Sequence, residues 1–127
     1  PMAPKRTPLM QTLVMDGRLD EAEALAVLSN AARAATHAMP RALLLCTTQE
    51  QMQKVISDRD TAVLAYTNSL AKSLLHTGPL FEQTAKQLAD ATASVLKEAD
   101  KLKSDIEAIR LFAELARLAS KLALAFA

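Results

Sequence analysis

Chemistry in this chain would have to come from very few side chains. His37 and His76 are the only histidines, and Cys46 is the only cysteine. A zinc or di-iron site on a helix needs two ligands on one face, as in His-x-x-x-His or Glu-x-x-His, and neither spacing occurs. Each histidine is expected near a helix end, where an imidazole serves as a partner of the helix dipole. One cysteine can form neither an intramolecular disulfide nor a thiolate cluster. Cys46 follows three leucines and precedes an expected helix start, so the reading is a packed thiol. The alternative is a thiolate acidified by the helix N-terminus, which would make the protein a redox sensor or an enzyme. The acids Asp58/Asp60 and Asp20/Glu21 read as solvated charges. Two glycines, Gly17 and Gly78, leave no phosphate-cradling loop, nucleophile elbow or dinucleotide fingerprint. No catalytic residue, cofactor, metal or small-molecule substrate is expected.

The bulk numbers narrow the class further. Of 127 residues, 25 are Ala and 21 Leu, with four aromatics, five Pro and no Trp. That composition favours helices over sheets and supports one domain with a modest core. A net charge of +1 gives no electrostatic footprint for nucleic acid, and the charges are spread evenly along the chain. A helix-turn-helix reading near Asp16-Gly17 lacks a cationic second helix. The longest apolar runs fall far short of the ~20 residues that span a bilayer. No basic-then-apolar leader opens the sequence, so the expected location is the cytoplasm.

The elements follow from periodicity and stop signals. Residues 1–8, with three prolines and two cations, read as a flexible arm. Residues 9–127 then form a single helical-bundle domain. Residues 9–15 give a short helix stopped at Asp16-Gly17. A helix over 18–39 has Asp20, Glu21 and Glu23 at its start and Pro40 at its end. Leu19, Ala22, Leu25, Ala26, Ala32 and Met39 form its apolar side, and the 42–46 run adds a buried turn. Thr47 with Glu50 resembles a capping box and opens a helix over 47–76, whose buried face is Met52, Ile56, Val63, Tyr66, Leu70 and Leu74. Gly78 suits a left-handed residue closing that helix, and Pro79 the first turn of the next.

Residues 80–127 contain no Gly or Pro and are expected to form one long helix over 79–127. Phe81, Leu88, Val95, Leu102 and Ile109 repeat every seven residues. Ala85, Thr92, Ala99, Ile106 and Ala113 repeat likewise four positions later, giving a heptad-like seam. Pairs such as Glu82/Lys86, Glu98/Lys101, Asp100/Lys103, Glu107/Arg110 and Glu114/Arg117 mark the solvated face. The fold expected is thus all-α, an up-down helical bundle of three main helices plus a short N-terminal helix.

Helix lengths then generate a functional expectation. At 1.5 Å per residue the helix over 47–76 would be roughly 45 Å long and that over 79–127 roughly 73 Å, so about 18 residues would overhang. Beyond Ile109 the girth is almost all Leu, Ala and Phe outside a stripe of Arg110, Glu114, Arg117 and Lys121. An apolar rod is seldom left in water, so either residues 110–127 bend back onto the first helix and the 43–46 turn to complete a monomeric bundle, or a partner covers them. The expected function is therefore a non-enzymatic interaction protein, an oligomerising or adaptor module. It would bind a protein partner or a second copy through Leu111, Phe112, Leu115, Leu118, Leu122 and Phe126. Coating of lipid or hydrophobic granules is the alternative, weakened by the mixed sign of the polar stripe.

Overall fold

The computed structural model describes residues 18–127. The expected arm over 1–8 and helix over 9–15 lie outside the described residues. Among the described residues there are four helices: α1 (Glu21–Leu45), α2 (Gln49–Leu70), α3 (Pro79–Glu98) and α4 (Asp105–Ala123). The all-α bundle expected from composition is what forms. Its element count is not the expected one, because residues 79–127 make two helices instead of one.

The break over 99–104 has a readable cause. Ser104 is the N-cap of α4, and its Oγ accepts a hydrogen bond from the Glu107 N–H at 3.1 Å. Glu107 Oε1 in turn accepts from the Lys103 N–H at 3.2 Å. A hydroxyl with a carboxylate three residues on satisfies the orphan amides of a helix start, so a new helix begins without Gly or Pro. Leu102 is buried at the link, and the Arg41 guanidinium donates to the Leu102 carbonyl at 2.8 Å. The link is thereby tied to the end of α1.

Each helix end can be traced to local chemistry. Asp20 caps α1, its Oδ1 accepting from the Ala22 N–H at 2.7 Å. The expected stop at Met39 is overridden: α1 runs through Pro40 to Leu45. Proline removes one backbone hydrogen bond there, but Thr36 and Pro40 are both exposed, so water reaches the freed carbonyl. Continuing the helix buries Ala42. The 42–46 run is not a buried turn, since Leu44 is 78% exposed. Thr48, one residue past the expected cap, caps α2 by accepting from the Gln51 N–H at 3.1 Å.

The second helix ends at Leu70, well before position 76, because the following residues bond elsewhere. The Ser73 N–H donates to the Ala127 carbonyl at 3.0 Å and the Ala127 N–H returns the bond at 2.9 Å. The Leu75 N–H donates to the Ala125 carbonyl at 2.8 Å. Gly78 is extended (φ −73°), the N-cap of α3 and not a left-handed residue, while Pro79 occupies the first turn as expected. A Cβ at Gly78 would meet nothing within 4 Å.

The helices alternate in direction. Leu19 N–H bonds to the Thr77 carbonyl, and Arg41 reaches Leu102, so α1 and α3 run parallel. Gln51 reaches Asp105 and Ser73 pairs with Ala127, so α2 and α4 also run parallel. The chain is two αα-hairpins laid side by side. Helix α1 packs on α2 and α3, α4 packs on α2 and α3, and α1 meets α4 across the middle. Two poles result. The start of α1, the end of α2, the start of α3 and the end of α4 share one; the α1–α2 and α3–α4 links share the other.

Small residues set the register of the first hairpin. The buried side of α1 is Ala24, Val27, Leu28, Ala31, Ala34, Ala35, Ala38 and Ala42. Of the side expected, Leu19 and Ala32 are buried, Leu25, Ala26 and Met39 half-buried, and Ala22 exposed. Helix α2 buries Val55, Ala62, Ala65 and Ser69, with Asp58. The stripe expected to be buried lies about one residue round: Met52 and Leu70 are exposed, and Ile56, Val63 and Tyr66 half-buried, as is Leu74 in the link. Alanine faces let two helix axes approach closely, and the larger apolar residues are displaced to the flanks.

The heptad seam is a core feature of α3. Leu88, Val95 and Leu102 are buried with Ala85, Thr92 and Ala99, and Phe81 is half-buried. After the break a new face starts at Ala108, Phe112, Leu115, Ala119 and Leu122, leaving Ile106 72% exposed and Ile109 half-buried. Buried hydroxyls are satisfied locally: Thr92 Oγ1 donates to the Leu88 carbonyl at 2.8 Å and Thr84 Oγ1 to the Leu80 carbonyl at 2.9 Å. Truncating Phe112, 1% exposed, to Ala is expected to cost about 3–5 kcal/mol. Ile106→Ala should stay within about 0.5 kcal/mol. Urea denaturation measures both, and equal effects would contradict the burial of α4.

Candidate interaction surface

Apart from His37, the side chains with chemical potential are engaged in structure. His37 lies exposed within α1, eight residues before its end, and is not at the terminus expected for it. His76 sits in the α2–α3 link and stacks on Phe81, ring centroids 5.7 Å apart. Asp58 is buried and takes Lys54 Nζ at 2.6 Å, so only Asp60, paired with Arg59 at 2.8 Å, is a solvated charge. Asp20 is a helix cap, and Glu21 Oε1 accepts from the Leu74 N–H at 3.0 Å. Of the expected solvent-face pairs, Glu114–Arg117 forms at 3.0 Å, while Lys86 pairs with Asp90 at 2.9 Å. Among the described residues no group of three or more His, Cys, Asp or Glu could hold a metal ion.

Cys46 is the C-cap of α1, and its Sγ donates to the Ala42 carbonyl at 3.3 Å. Burial raises its pKa above the usual thiol value, and the nearby Asp105 carboxylate raises it further. Both effects disfavour the thiolate, which is the reactive form. Around it, Gln51 Oε1 accepts from the Thr47 N–H at 2.7 Å and Gln51 Nε2 donates to Asp105 Oδ2 at 2.7 Å. That bond from Gln51 is the main cause holding the Asp105 carboxyl below its ordinary range. The result is a polar joint between the α1–α2 link and the first turn of α4.

Two open recesses mark the sides of the bundle. One, about 340 Å³, lies between α3 and α4 and is lined by Asp90, Leu111, Arg110 and Glu114 among others. Its acids are already committed, Asp90 to Lys86 and Glu114 to Arg117. The other, about 330 Å³ and shallow, lies beside Ala32, Arg33, Thr36, His37 and Val63.

The residues expected to dock a partner are placed elsewhere. Phe112, Leu115, Leu118, Leu122 and Phe126 are all buried in the chain's own core, and Leu111 is half-buried at the α3–α4 recess. They come together, but as bundle interior. Turning the chain at 99–104 removes the overhang from which their role was argued.

What is left in water is different and localised. Among the described residues, the large exposed apolar side chains are Leu70, Leu75, Leu80 and Leu124 at the first pole, and Leu44, Met52, Leu96 and Ile106 at or near the second; Leu64 alone lies mid-helix. The hydrophobic periodicity gave no sign of this, although Leu44 and Ile106 each adjoin a helix-capping signal. Among the described residues no helix is long and apolar enough to cross a membrane.

Comparison with protein-family models, with curated proteins and with solved structures finds no match in any of the three.

The Cys46 geometry predicts slow alkylation near neutral pH, with a rate profile whose midpoint lies above the ~8.5 of an unperturbed thiol. Asp105→Asn should lower that midpoint by removing the neighbouring negative charge, while burial keeps it raised. A wild-type midpoint at or below the free-thiol value would refute this environment.

Proposed function

We propose that this chain is a cytoplasmic, non-enzymatic helical interaction protein, an oligomerising or adaptor module. Its working surfaces are the ends of the bundle. The observation supporting the reading is the segregation of exposed apolar side chains: Leu44 and Ile106 at the second pole are more than two-thirds exposed, while among the described residues the polar flanks carry Leu64 alone. Apolar side chains grouped at one place, rimmed by polar residues, mark interaction sites when they recur in a single patch.

The C-terminal helix keeps a part in the proposal through Ile106 and Leu124, the outward residues at its two ends. The thiol of Cys46 is held against ionisation, and the recess acids are ion-paired. A lipid-coating role loses its amphipathic element, because the apolar face of α4 is turned inward.

Site-specific photo-crosslinking in the cell of origin tests the reading. A photoreactive side chain replacing Ile106 or Leu44 is expected to give discrete protein adducts, and one replacing Ser57 on the exposed flank of α2 none. Adducts absent at both Ile106 and Leu44 would overturn the proposal.

A further inference from the structure

Past the end of α4 the chain turns back along the α2–α3 link. Ser73 and Ala127 exchange two backbone hydrogen bonds, at 3.0 and 2.9 Å. The Leu75 and His76 N–H groups both donate to the Ala125 carbonyl, at 2.8 and 3.1 Å. Leu74 and Phe126 lie opposite each other in an antiparallel bridge. Within 124–127, Ala125 and Phe126 are buried, while Leu124 and Ala127 are exposed. The tail thus crosses from the end of the second hairpin to the connection between the two.

The link has further anchors in which the tail takes no part. Glu21 Oε1 accepts from the Leu74 N–H at 3.0 Å, and the Thr77 carbonyl accepts from the Leu19 N–H at 2.9 Å. Both tie the link to the start of α1. The tail itself is held by backbone bonds to exposed residues of the link and by one large side chain, Phe126. The inner side of α4 is held far more firmly, by Phe112, Leu115, Leu118 and Leu122, none more than 1% exposed. A segment with few buried apolar contacts and hydrogen bonds close to water opens at lower free energy than the core it lies on. Breaking the tail contacts leaves the helices and the α1 anchors in place.

We propose that residues 124–127 form a strap that opens as a unit while the helices stay packed. In the open form the backbone groups of Ser73, Leu75 and His76 lose their partners and the seat of Phe126 is uncovered. Both changes fall at the pole that already exposes Leu70, Leu75, Leu80 and Leu124. A free backbone edge beside an apolar socket is the kind of surface to which an extended segment is added. The closed strap withholds both. This device goes beyond the interaction reading above and stands whether or not a partner binds this pole.

Amide hydrogen exchange of the full chain, read residue by residue, tests the strap. The Ser73, Leu75 and His76 amides are expected to share one level of protection, at least about tenfold below that of Leu115. Urea well below the unfolding transition should leave these three rates nearly unchanged while speeding Leu115, because opening the strap exposes little surface. Phe126→Ala should speed the three amides at least about tenfold, and Phe126→Leu, which keeps most of the buried side chain, should speed them less. Protection equal to that of Leu115, with the same response to urea, would mean that the tail opens only on global unfolding and would overturn the proposal. Absence of protection at all three amides would overturn it too, since no closed strap would then exist. So would Phe126→Ala leaving their rates unchanged. Failure of the photo-crosslinking above would remove the interaction reading without touching this result.

Discussion

The fold depends on the chain reversal over residues 99–104, because only that turn lets Phe112, Leu115, Leu118 and Leu122 be covered by their own molecule. Burying each such side chain is worth about 1.5–3 kcal/mol, and together they outweigh the helical hydrogen bonds lost at the break. The Ser104–Glu107 cap makes the turn inexpensive, since the first amides of α4 find acceptors within the chain. Arg41 on the Leu102 carbonyl then fixes the turn against α1. Without the break, α4 would have no neighbours and the second hairpin would not exist.

From that reversal the remaining architecture follows. Two hairpins of similar length can lie parallel, and the alanine face of α1 lets it approach α2 and α3 while also touching α4. The α2–α3 connection must cross to reach its hairpin, and its backbone is held by the last residues of the chain. Ser73 and Ala127 exchange two hydrogen bonds, and Leu75 bonds to Ala125. With the core filled by Leu, Phe and Ala and the flanks polar, the large apolar residues still in water gather at the helix ends. Any interaction surface therefore belongs to the poles and not to a helix stripe.

Much of this architecture was legible in the sequence and part of it was not. Helix-forming composition and Pro79 in a first turn are legible, and the start of α1 is placed within three residues, with Asp20 expected inside the first turn where it is the cap. The α3 seam through Leu88, Val95 and Leu102 is legible too, because a seven-residue repeat records a buried face directly. The C-terminal break carries no Gly or Pro to signal it. Ser104 followed by Glu107 carries the same information as the Thr47/Glu50 pattern that was read as a start. The register of α2 does not follow side-chain size, because against an alanine-rich partner Ala62, Ala65 and Ser69 go inside. The interaction residues were misplaced for one reason: they were inferred from an unbroken helix, and the exposed pole depends on how links pack, which periodicity does not encode.

Amide hydrogen exchange across residues 95–122 bears most directly on the reversal. The account predicts fast exchange over the link and the first turn of α4, with the amides of Leu115 and Leu122 released only on global unfolding. Uniform slow exchange from Val95 through Phe112 would mean one continuous helix and would contradict the fold on which the proposed surface rests.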